Sequence, residues 1–334
     1  MFFPVVPSNN LYQGSVLNSL LITSFTASFT ALLKIALIIA VSAWLLRINV
    51  FNETHTRALT ALVVNLALPC LIFDSILTNF EVSSYPHWWK FPLLGAALTF
   101  TMLGLSRLVF WRDHEQGNTL SALATFQNAG YLILPIGEVL FPDQFGRFSV
   151  FLFLMLLGYN PLLWSVAKIL VTHAPDTKIK LSQAFTAPFY TSLIAIFLVF
   201  TGLGKFVPAA ALGSVALVGK SCVPMATVVL GLTMGMLKFS RMPGAFDTFR
   251  VLTLKLVVAP LLVFLVLKYT AFSSGPLENA FWILEAASPS ATALALQAIH
   301  FGGDEKLICG TLFLGYLLAL FTIPLFYSVA EVLL

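Results

Sequence analysis

The residues best suited to binding chemistry lie in the apolar segment Glu278–Phe301, which carries Glu285, Pro289, Ser290 and Gln297. Because proline lacks a backbone N–H and its ring collides with the preceding turn, we expect a helix to break or kink at Pro289. In lipid, a broken helix leaves backbone groups unpaired unless they face protein or a water-filled cavity. Broken helices at mid-membrane form ion and substrate sites, whereas a proline-kinked packing helix is the alternative interpretation. The choice between them depends on finding a second broken helix.

The composition places this segment in a membrane. Of the 334 residues, 59% are hydrophobic and only 10% are charged, and the mean hydropathy is +0.93. These values exclude an ordinary soluble domain. A hydrocarbon core of ~30 Å is crossed by ~20 helical residues. We therefore predict an all-α polytopic membrane protein with ten transmembrane helices, numbered as spans 1 to 10: Ser24–Leu46, Arg57–Leu77, Trp89–Phe110, Gly117–Phe141, Arg147–Val171, Pro188–Leu203, Pro208–Leu237, Phe246–Tyr269, Glu278–Phe301 and Leu307–Val332.

The sequence contains no motif typical of metal, nucleotide or redox chemistry. It has no CxxC, HExxH or Walker A pattern, and Cys70, Cys222 and Cys309 lie in apolar runs, as buried hydrophobic residues do. We predict no cofactor, no metal site and no catalytic constellation, so the chain is not expected to be an enzyme. The net charge of +4 reflects basic loops at a membrane and does not indicate nucleic-acid binding.

The basic residues of the loops are distributed unevenly. Loops after odd-numbered spans carry eleven lysines and arginines, and loops after even-numbered spans carry four. Because cytoplasmic loops are enriched in Lys and Arg, the first set is expected in the cytoplasm. The sequence therefore predicts an integral protein of the cell (inner) membrane with both termini outside.

The two halves of the chain resemble each other. Asn160–Leu170 (NPLLWSVAKIL) and Ile323–Leu333 (IPLFYSVAEVL) are identical at six of eleven positions when shifted by 163 residues, and Pro69 aligns with Pro224 at a shift of 155. Since each half holds five spans, an odd number, the second repeat must be inverted in the membrane. Chance similarity between apolar segments is the alternative. The predicted organisation is a lead-in at 1–23, a first repeat at 24–172, a central loop at 173–187 and a second repeat at 188–334.

The repeat locates a mate for span 9 in span 4. A shift of 162 places Asn128 opposite Ser290 and Tyr131 opposite Ala293, on one helical face that continues to Gln297. We expect the second half-helices to begin at Asn128 and Ser290, two residue types that cap helix N-termini well. A helix N-terminus exposes free N–H groups and a partial positive charge. Two such ends meeting at mid-membrane predict an anion site.

Charged residues inside spans are costly in lipid and are candidates for function. Lys255 is expected to balance the negative C-termini of the first half-helices, either as a structural counter-charge or as a coupling group. Glu285, one turn before Pro289, either pairs with Lys255 or carries a coupling proton. Lys220 either faces a substrate carboxylate or extends along its helix toward the interface. Asn65 occupies the equivalent position in span 2.

Four segments, LALPCLIF, FQNAGYLILP, SCVPMATVVLGLTMG and SPSATALALQAIHF, resemble the auxin efflux carrier family, and the resemblance extends over essentially the whole chain after Ser24. It implies two inverted five-span repeats, as in the similar bile-acid-type symporters, with crossing broken spans 4 and 9. It also implies a dimerising scaffold of spans 1, 2, 6 and 7 and a mobile transport domain of spans 3–5 and 8–10. The family's crossover asparagine falls on Asn128 and its crossover proline on Pro289. Plant members have proline where this chain has Gln127.

The expected function is secondary active or facilitative transport of a small organic anion, such as an auxin-like carboxylate or a dicarboxylate, by an elevator mechanism. The expected partners are that anion, protons, membrane lipid and a second copy of the chain. A sodium-coupled organic-anion symporter and a membrane ligand-binding sensor are the alternatives. The candidate substrate-binding residues are Asn65, Gln127, Asn128, Tyr131, Lys220, Pro289, Ser290 and Gln297, and the candidates for coupling and charge balance are Lys255 and Glu285.

Overall fold

The computed structural model describes residues 10–83, 85–113, 116–172, 185–237, 244–270 and 275–334, without the side chains of residues 10–16 and 300. Most of the predicted central loop, at 173–184, lies outside these residues. The described residues are mostly helical and form no β-strand, as predicted. Its helices are α1 Asn10–Arg47, α2 Glu53–Asn79, α3 Lys90–Val109, α4 Gly117–Thr125, α5 Ile133–Leu140, α6 Pro142–Val171, α7 Ala187–Thr201, α8 Ala209–Met236, α9 Ala245–Tyr269, α10 Pro276–Ala287, α11 Ala293–Phe301 and α12 Glu305–Leu333.

Within the described ranges, seven helices are long and apolar enough to cross a membrane, namely α1, α2, α3, α6, α8, α9 and α12. Helix α7 is a shorter apolar helix. The pairs α4–α5 and α10–α11 occupy predicted spans 4 and 9, and each pair is separated by a non-helical segment. Helix α1 begins at Asn10, earlier than the predicted start at Ser24, so residues 10–23 are helical.

Three long helices contain a widened π turn close to a proline. The π turns are Val63–Ala67 in α2, Leu163–Ala167 in α6 and Leu254–Val258 in α9. A proline cannot donate the usual helical hydrogen bond, and a π turn is one way for a helix to accommodate the lost bond. In α9 the π turn precedes Pro260 and contains Lys255.

Many of the helix contacts fall into two groups, which also pack against each other. In the first group, α1 packs against α8, and α2 packs against α7 and α8. Helix α1 also packs against α12, and α2 against α6, which both belong to the second group. In the second group, α3 packs against α4 and α6, while α10 packs against α9 and α12. Glycine permits close approach in both groups: a Cβ at Gly158 of α6 would lie 1.9 Å from the Pro92 carbonyl oxygen of α3, and one at Gly231 of α8 would lie 2.6 Å from the Ile39 carbonyl oxygen of α1. Small residues serve this purpose in membrane helices, where backbones pack closely.

An aromatic cluster fills the centre of the second group. The Phe91 ring of α3 stacks on Phe151 of α6 at 4.8 Å and on Trp282 of α10 at 5.7 Å. Phe281 lies edge-on to Trp282 at 5.0 Å. Aromatic pairs at these separations contribute roughly 0.5–1.5 kcal/mol each beyond burial. The cluster therefore holds α10 firmly against α3 and α6, which fixes the end of α10 that leads into its interruption.

Candidate functional site

The two helix interruptions lie face to face. We call residues 126–132, between α4 and α5, and residues 288–292, between α10 and α11, together the crossing. Gln127 and Ser290 form an isolated antiparallel bridge. The Asn128 N–H donates to the Pro289 carbonyl oxygen at 2.8 Å, and the Ala291 N–H donates to the Phe126 carbonyl oxygen at 2.9 Å. Backbone groups that both helices leave unpaired are thus satisfied by each other, as the membrane interior requires.

The pairing differs by one residue from the sequence prediction. Gln127, not Asn128, lies opposite Ser290. The two donors, Asn128 and Ala291, are 163 residues apart, and so are the two acceptors, Phe126 and Pro289. The same shift relates Asn160–Leu170 to Ile323–Leu333. The predicted shift of 162 was wrong because it aligned helical faces, whereas extended backbone forms the contact.

The predicted helix caps were also wrong. Helix α5 begins at Ile133 and α11 at Ala293, and neither start has a side-chain cap. The Asn128 amide donates to the Tyr316 hydroxyl, and the Ser290 hydroxyl donates to the Leu123 carbonyl oxygen at 2.6 Å. The physical reason is the bridge, which keeps residues 127 and 290 extended and delays both helix starts.

Unpaired backbone N–H groups lie just before the starts of α5 and α11. The N–H groups of Ala129, Gly130, Tyr131 and Thr292 donate no hydrogen bond within the described part of the chain. They precede the N-terminal turns of α5 and α11, where the helix dipole is positive. The crossing therefore presents several unpaired donors and no formal positive charge, an arrangement that favours an anion.

A cavity of about 120 Å³ adjoins these donors, and we call it the inner cavity. The crossing supplies one of its sides, including Gln127, Asn128, Tyr131 and Thr292. Helices α2, α7 and α8 supply the opposite side. Apart from the crossing, the walls are mostly apolar or aromatic and include Val63, Val64, Leu68, Leu134, Leu156, Tyr159, Leu163, Trp164, Cys222 and Ala226.

A larger cavity of about 550 Å³, the outer cavity, continues from the inner one. The two share Tyr131, Trp164 and Thr292, among other residues. The outer cavity extends to the first turn of α2, which carries the Arg57–Glu53 ion pair, and to the last turn of α6, where Lys168 is buried. The Lys168 ammonium lies 3.8 Å from the centroid of the Phe301 ring at the end of α11. The crossing is therefore connected to the membrane face at which α2 begins and α6 and α11 end.

A buried charged pair lies behind the crossing. Lys255 is 1% exposed, and its ammonium donates to the Thr125 carbonyl oxygen, the last of α4, at 3.3 Å. Glu285 is fully buried, and neither carboxylate oxygen has a hydrogen-bond partner among the described residues. The two charges interact, although they do not approach to ion-pair distance. The Gln127 amide faces the Glu285 carboxylate, but its nitrogen makes no hydrogen bond within the described chain.

The other candidates from the sequence are distributed more widely. Asn65 lines the outer cavity. The Gln297 amide is buried and donates to the carbonyl oxygen of Leu163 at 3.0 Å, and Gln297 itself lines neither cavity. Pro289 and Ser290 are buried in the crossing and do not line the cavities. Lys220 is exposed at the end of the first half of α8 and also lies away from both cavities.

Four residues of the site have no counterpart among the sequence candidates. Asn160 and Trp164 line the inner cavity from α6, and the Tyr159 hydroxyl donates to the Gln127 carbonyl oxygen. Tyr316 of α12 holds the Asn128 amide. A polar residue beside a proline, Asn160–Pro161, was a usable signal in the sequence. Tyr316 gave none, because its partner lies 188 residues away.

Membrane-spanning helices that surround a buried polar crossing beside a cavity are typical of polytopic membrane transport proteins. The family model described as "membrane transport protein" matches residues 27–174 and 171–327. The chain belongs to this family, which is the auxin efflux carrier family that its sequence resembles. It is therefore an integral membrane protein, and membership of a transport family agrees with the prediction that it is not an enzyme.

Two archaeal relatives support this assignment. An uncharacterized transporter from Methanothermobacter thermautotrophicus is 25% identical over 311 residues, which cover 90% of this chain and 98% of the relative. An uncharacterized transporter from Methanocaldococcus jannaschii is 24% identical over 291 residues, which cover 83% of this chain and 90% of the relative. The similarity therefore includes both halves of the chain.

Proposed function

We propose that the chain is a secondary carrier of a small organic anion that binds in the inner cavity. The observation that carries the proposal is the set of unpaired N–H groups at the starts of α5 and α11, beside the cavity-lining amides of Gln127 and Asn128. Helix N-termini favour a carboxylate without requiring an arginine. The apolar walls of the inner cavity fit the hydrocarbon part of such an anion.

The transport step we propose is an elevator movement of one helix group against the other. Helices α1, α2, α7 and α8 form the scaffold, and α3–α6 with α9–α12 form the transport domain. The inner cavity lies between them, since α2, α7 and α8 line one side and the crossing lines the other. The repeated shift of 163 residues supports an inverted repeat of five spans. Inverted repeats of this kind are typical of carriers that work by alternating access.

The proposed orientation follows from the basic loops. The outer cavity opens at the start of α2 and the end of α6, which belong to the loops richer in lysine and arginine, so this conformation faces the cytoplasm. Both termini then lie outside a cell membrane, and the scaffold forms a homodimer surrounded by lipid.

Cysteine labelling tests this orientation. In a chain without its three native cysteines, a cysteine at Arg112 should be shielded from an impermeant thiol reagent in intact cells. One at Lys205 should react, and the opposite labelling pattern would reverse the orientation.

The function is tested by binding and transport together. Purified protein is screened by thermal shift against indole-3-acetate, malonate, other mono- and dicarboxylates, and sodium. A ligand of the folded state raises the melting temperature in a concentration-dependent way. Stabilising anions are then tested for uptake into proteoliposomes. We expect saturable uptake that does not require sodium.

Other results of the binding and uptake experiments would support different functions. Strict dependence on sodium would support the sodium-coupled symporter instead. Binding without uptake would support a sensor. Neither binding nor uptake of any organic anion would refute the proposed substrate class.

A further inference from the structure

Gln127 lies between the inner cavity and the buried charged pair. Its backbone is held by the bridge to Ser290 and by the hydrogen bond that its carbonyl accepts from the Tyr159 hydroxyl. Its side chain is 1% exposed, lines the inner cavity and faces the Glu285 carboxylate. Because the backbone is fixed, the amide is the part of Gln127 that can reorient. It has an acceptor on one side and the anion cavity on the other.

The Glu285 carboxylate makes no complete hydrogen bond within the described residues, and the Gln127 amide is the polar group that faces it. Glu285 lies in the last turn of α10, fully buried, with both carboxylate oxygens unpaired. The titratable groups that face it are Lys255 from α9 and Tyr159 from α6. The Lys255 ammonium is directed to Thr125, and the Tyr159 hydroxyl is directed to the Gln127 carbonyl oxygen. A buried carboxylate in this position requires a hydrogen-bond donor or a proton.

We propose that Glu285 is a proton-binding site and that the Gln127 amide couples it to anion binding in the inner cavity. This inference rests on the proposed function, because the coupling anion is the transported one. Without an anion beside it, the Gln127 N–H group, which already faces the Glu285 carboxylate, completes a hydrogen bond to it. When an anion binds, the same N–H group turns to the anion.

Anion binding changes the equilibrium between the charged and neutral forms of Glu285 in two ways. The carboxylate loses its donor, and it acquires a negatively charged neighbour across Gln127. Both changes favour the neutral acid over the charged form. One proton therefore passes from water in the cavity to a Glu285 carboxylate oxygen, and it returns to water when the anion leaves.

Binding one proton with each anion suits a domain that moves through a membrane. Without substrate, the charges of Lys255 and Glu285 offset each other inside the transport domain. An anion alone would add an uncompensated charge to a group moving through a low-dielectric region, which is costly. An anion and a proton together add no net charge. The carrier would thus move the anion and proton in the same direction.

The decisive measurement is the proton uptake that accompanies anion binding. The purified full-length protein is titrated with indole-3-acetate and with malonate by calorimetry, in buffers of different ionisation enthalpy. We expect the wild type to take up a proton as it binds the anion, and its affinity to fall as the pH rises. Glu285→Gln should bind the anion without proton uptake and without this pH dependence. Glu331→Gln, which removes an exposed carboxylate near the end of α12, should behave as the wild type.

Two further variants separate coupling by Gln127 from general damage to the site. Gln127→Leu and Asn128→Ala should both weaken anion binding, but only Gln127→Leu should abolish the linked proton uptake. Gln127→Asn keeps the polarity of the position but has a shorter amide. If the leucine variant does not fold, Gln127→Asn takes its place, and it too should lose the linked proton uptake.

Three results would contradict the proposed coupling. Anion binding by the wild type without proton uptake, or wild-type proton uptake in Glu285→Gln, would overturn the proton site. Wild-type proton uptake in a folded Gln127 variant would overturn the role of the amide. Failure of the wild type to bind either anion would instead count against the proposed function itself. The calorimetric titration shows whether the anion binds at all, independently of any proton uptake.

Discussion

The two interruptions of the crossing are bridged to each other, yet their side chains serve different purposes. In residues 126–132, Gln127, Asn128 and Tyr131 face the inner cavity. In residues 288–292, the Ser290 hydroxyl donates to a carbonyl oxygen of α4. The Ser288 hydroxyl at the edge of the same segment donates to the Asn128 carbonyl oxygen at 3.2 Å. The first segment supplies most of the polar side chains that line the inner cavity, together with Thr292 of the second. The two serines of the second segment instead satisfy backbone oxygen atoms of α4 and of the first segment.

This division follows from the cost of interrupting a helix in lipid. Every backbone group released by the interruption must find a partner inside the protein. Small hydroxyl side chains and a proline without an N–H reduce that demand in the second segment. The first segment can then keep its amide side chains and several N–H groups for a ligand. A repeat in the sequence therefore does not imply equal roles for equivalent positions.

The largest expected effect concerns the charge that supports the first segment. Lys255→Met removes the ammonium that binds the last carbonyl oxygen of α4 and leaves Glu285 buried without a compensating charge. Removing one partner of a buried charged pair costs about 3–5 kcal/mol. We expect a large fall in the unfolding temperature of the detergent-solubilised protein, followed by tryptophan fluorescence.

Two variants make this result specific to the pair. Lys268→Met, which removes an exposed lysine from the end of the same helix, should have little effect. Lys255→Met combined with Glu285→Gln should recover part of the lost stability, because no unbalanced charge stays buried. A double variant no more stable than Lys255→Met alone would show that the two charges do not compensate each other.

The next prediction compares the two segments directly. Asn128→Ala should weaken anion binding by about 1.5–3 kcal/mol, the value of a hydrogen bond to a charged group. Ser290→Ala should lower stability by about 1 kcal/mol, since it frees the Leu123 carbonyl oxygen, with little change in affinity. Calorimetry and thermal unfolding of both variants test the comparison, with Asn118→Ala at the exposed start of α4 as the control. Equal losses of affinity in the two variants would contradict the division of roles.

A smaller effect is expected from Tyr316→Phe. The hydroxyl of Tyr316 holds the Asn128 amide, so its loss should weaken anion binding by about 0.5–1 kcal/mol, less than the loss of the amide itself. Because the hydroxyl acts through Asn128, the substitution should have no further effect in an Asn128→Ala background. Tyr269→Phe, at an exposed tyrosine, is the matched control. Additive losses in the double variant would mean that Tyr316 contacts the anion independently.

The smallest effect is expected at Lys220. The sequence allows this lysine to face the substrate, but its side chain is exposed and lines neither cavity. Lys220→Met should therefore leave anion affinity within about twofold of the wild-type value, a change below ~0.5 kcal/mol. A tenfold loss measured by calorimetry would place Lys220 at the substrate site in the bound state and would favour the interpretation from sequence.

The sequence predicted the features that depend on local chemistry. Its hydrophobic runs predicted a helical membrane protein, and its motifs predicted the transport family, which the family match confirms. Pro289 marked an interruption, because a proline acts on its own turn of helix. The repeated segment predicted a second interruption in span 4, and the structure has a non-helical segment there. The register and the helix starts were wrong by a few residues, because the extended bridge depends on two segments that are distant in the chain.

Only the tertiary structure decided which polar side chains meet. Spans that are apolar on all sides carry no amphipathic pattern, so the sequence cannot tell which helical face points inward. For this reason Gln297 and Lys220 appeared equivalent to Asn128 as candidates, whereas the fold directs the first into a helix contact and the second outward. Tyr316 with Asn128, and Gln127 with Glu285, are brought together from distant parts of the chain. Residue types and spacing determined where the helices break, and long-range packing determined which groups face the cavity.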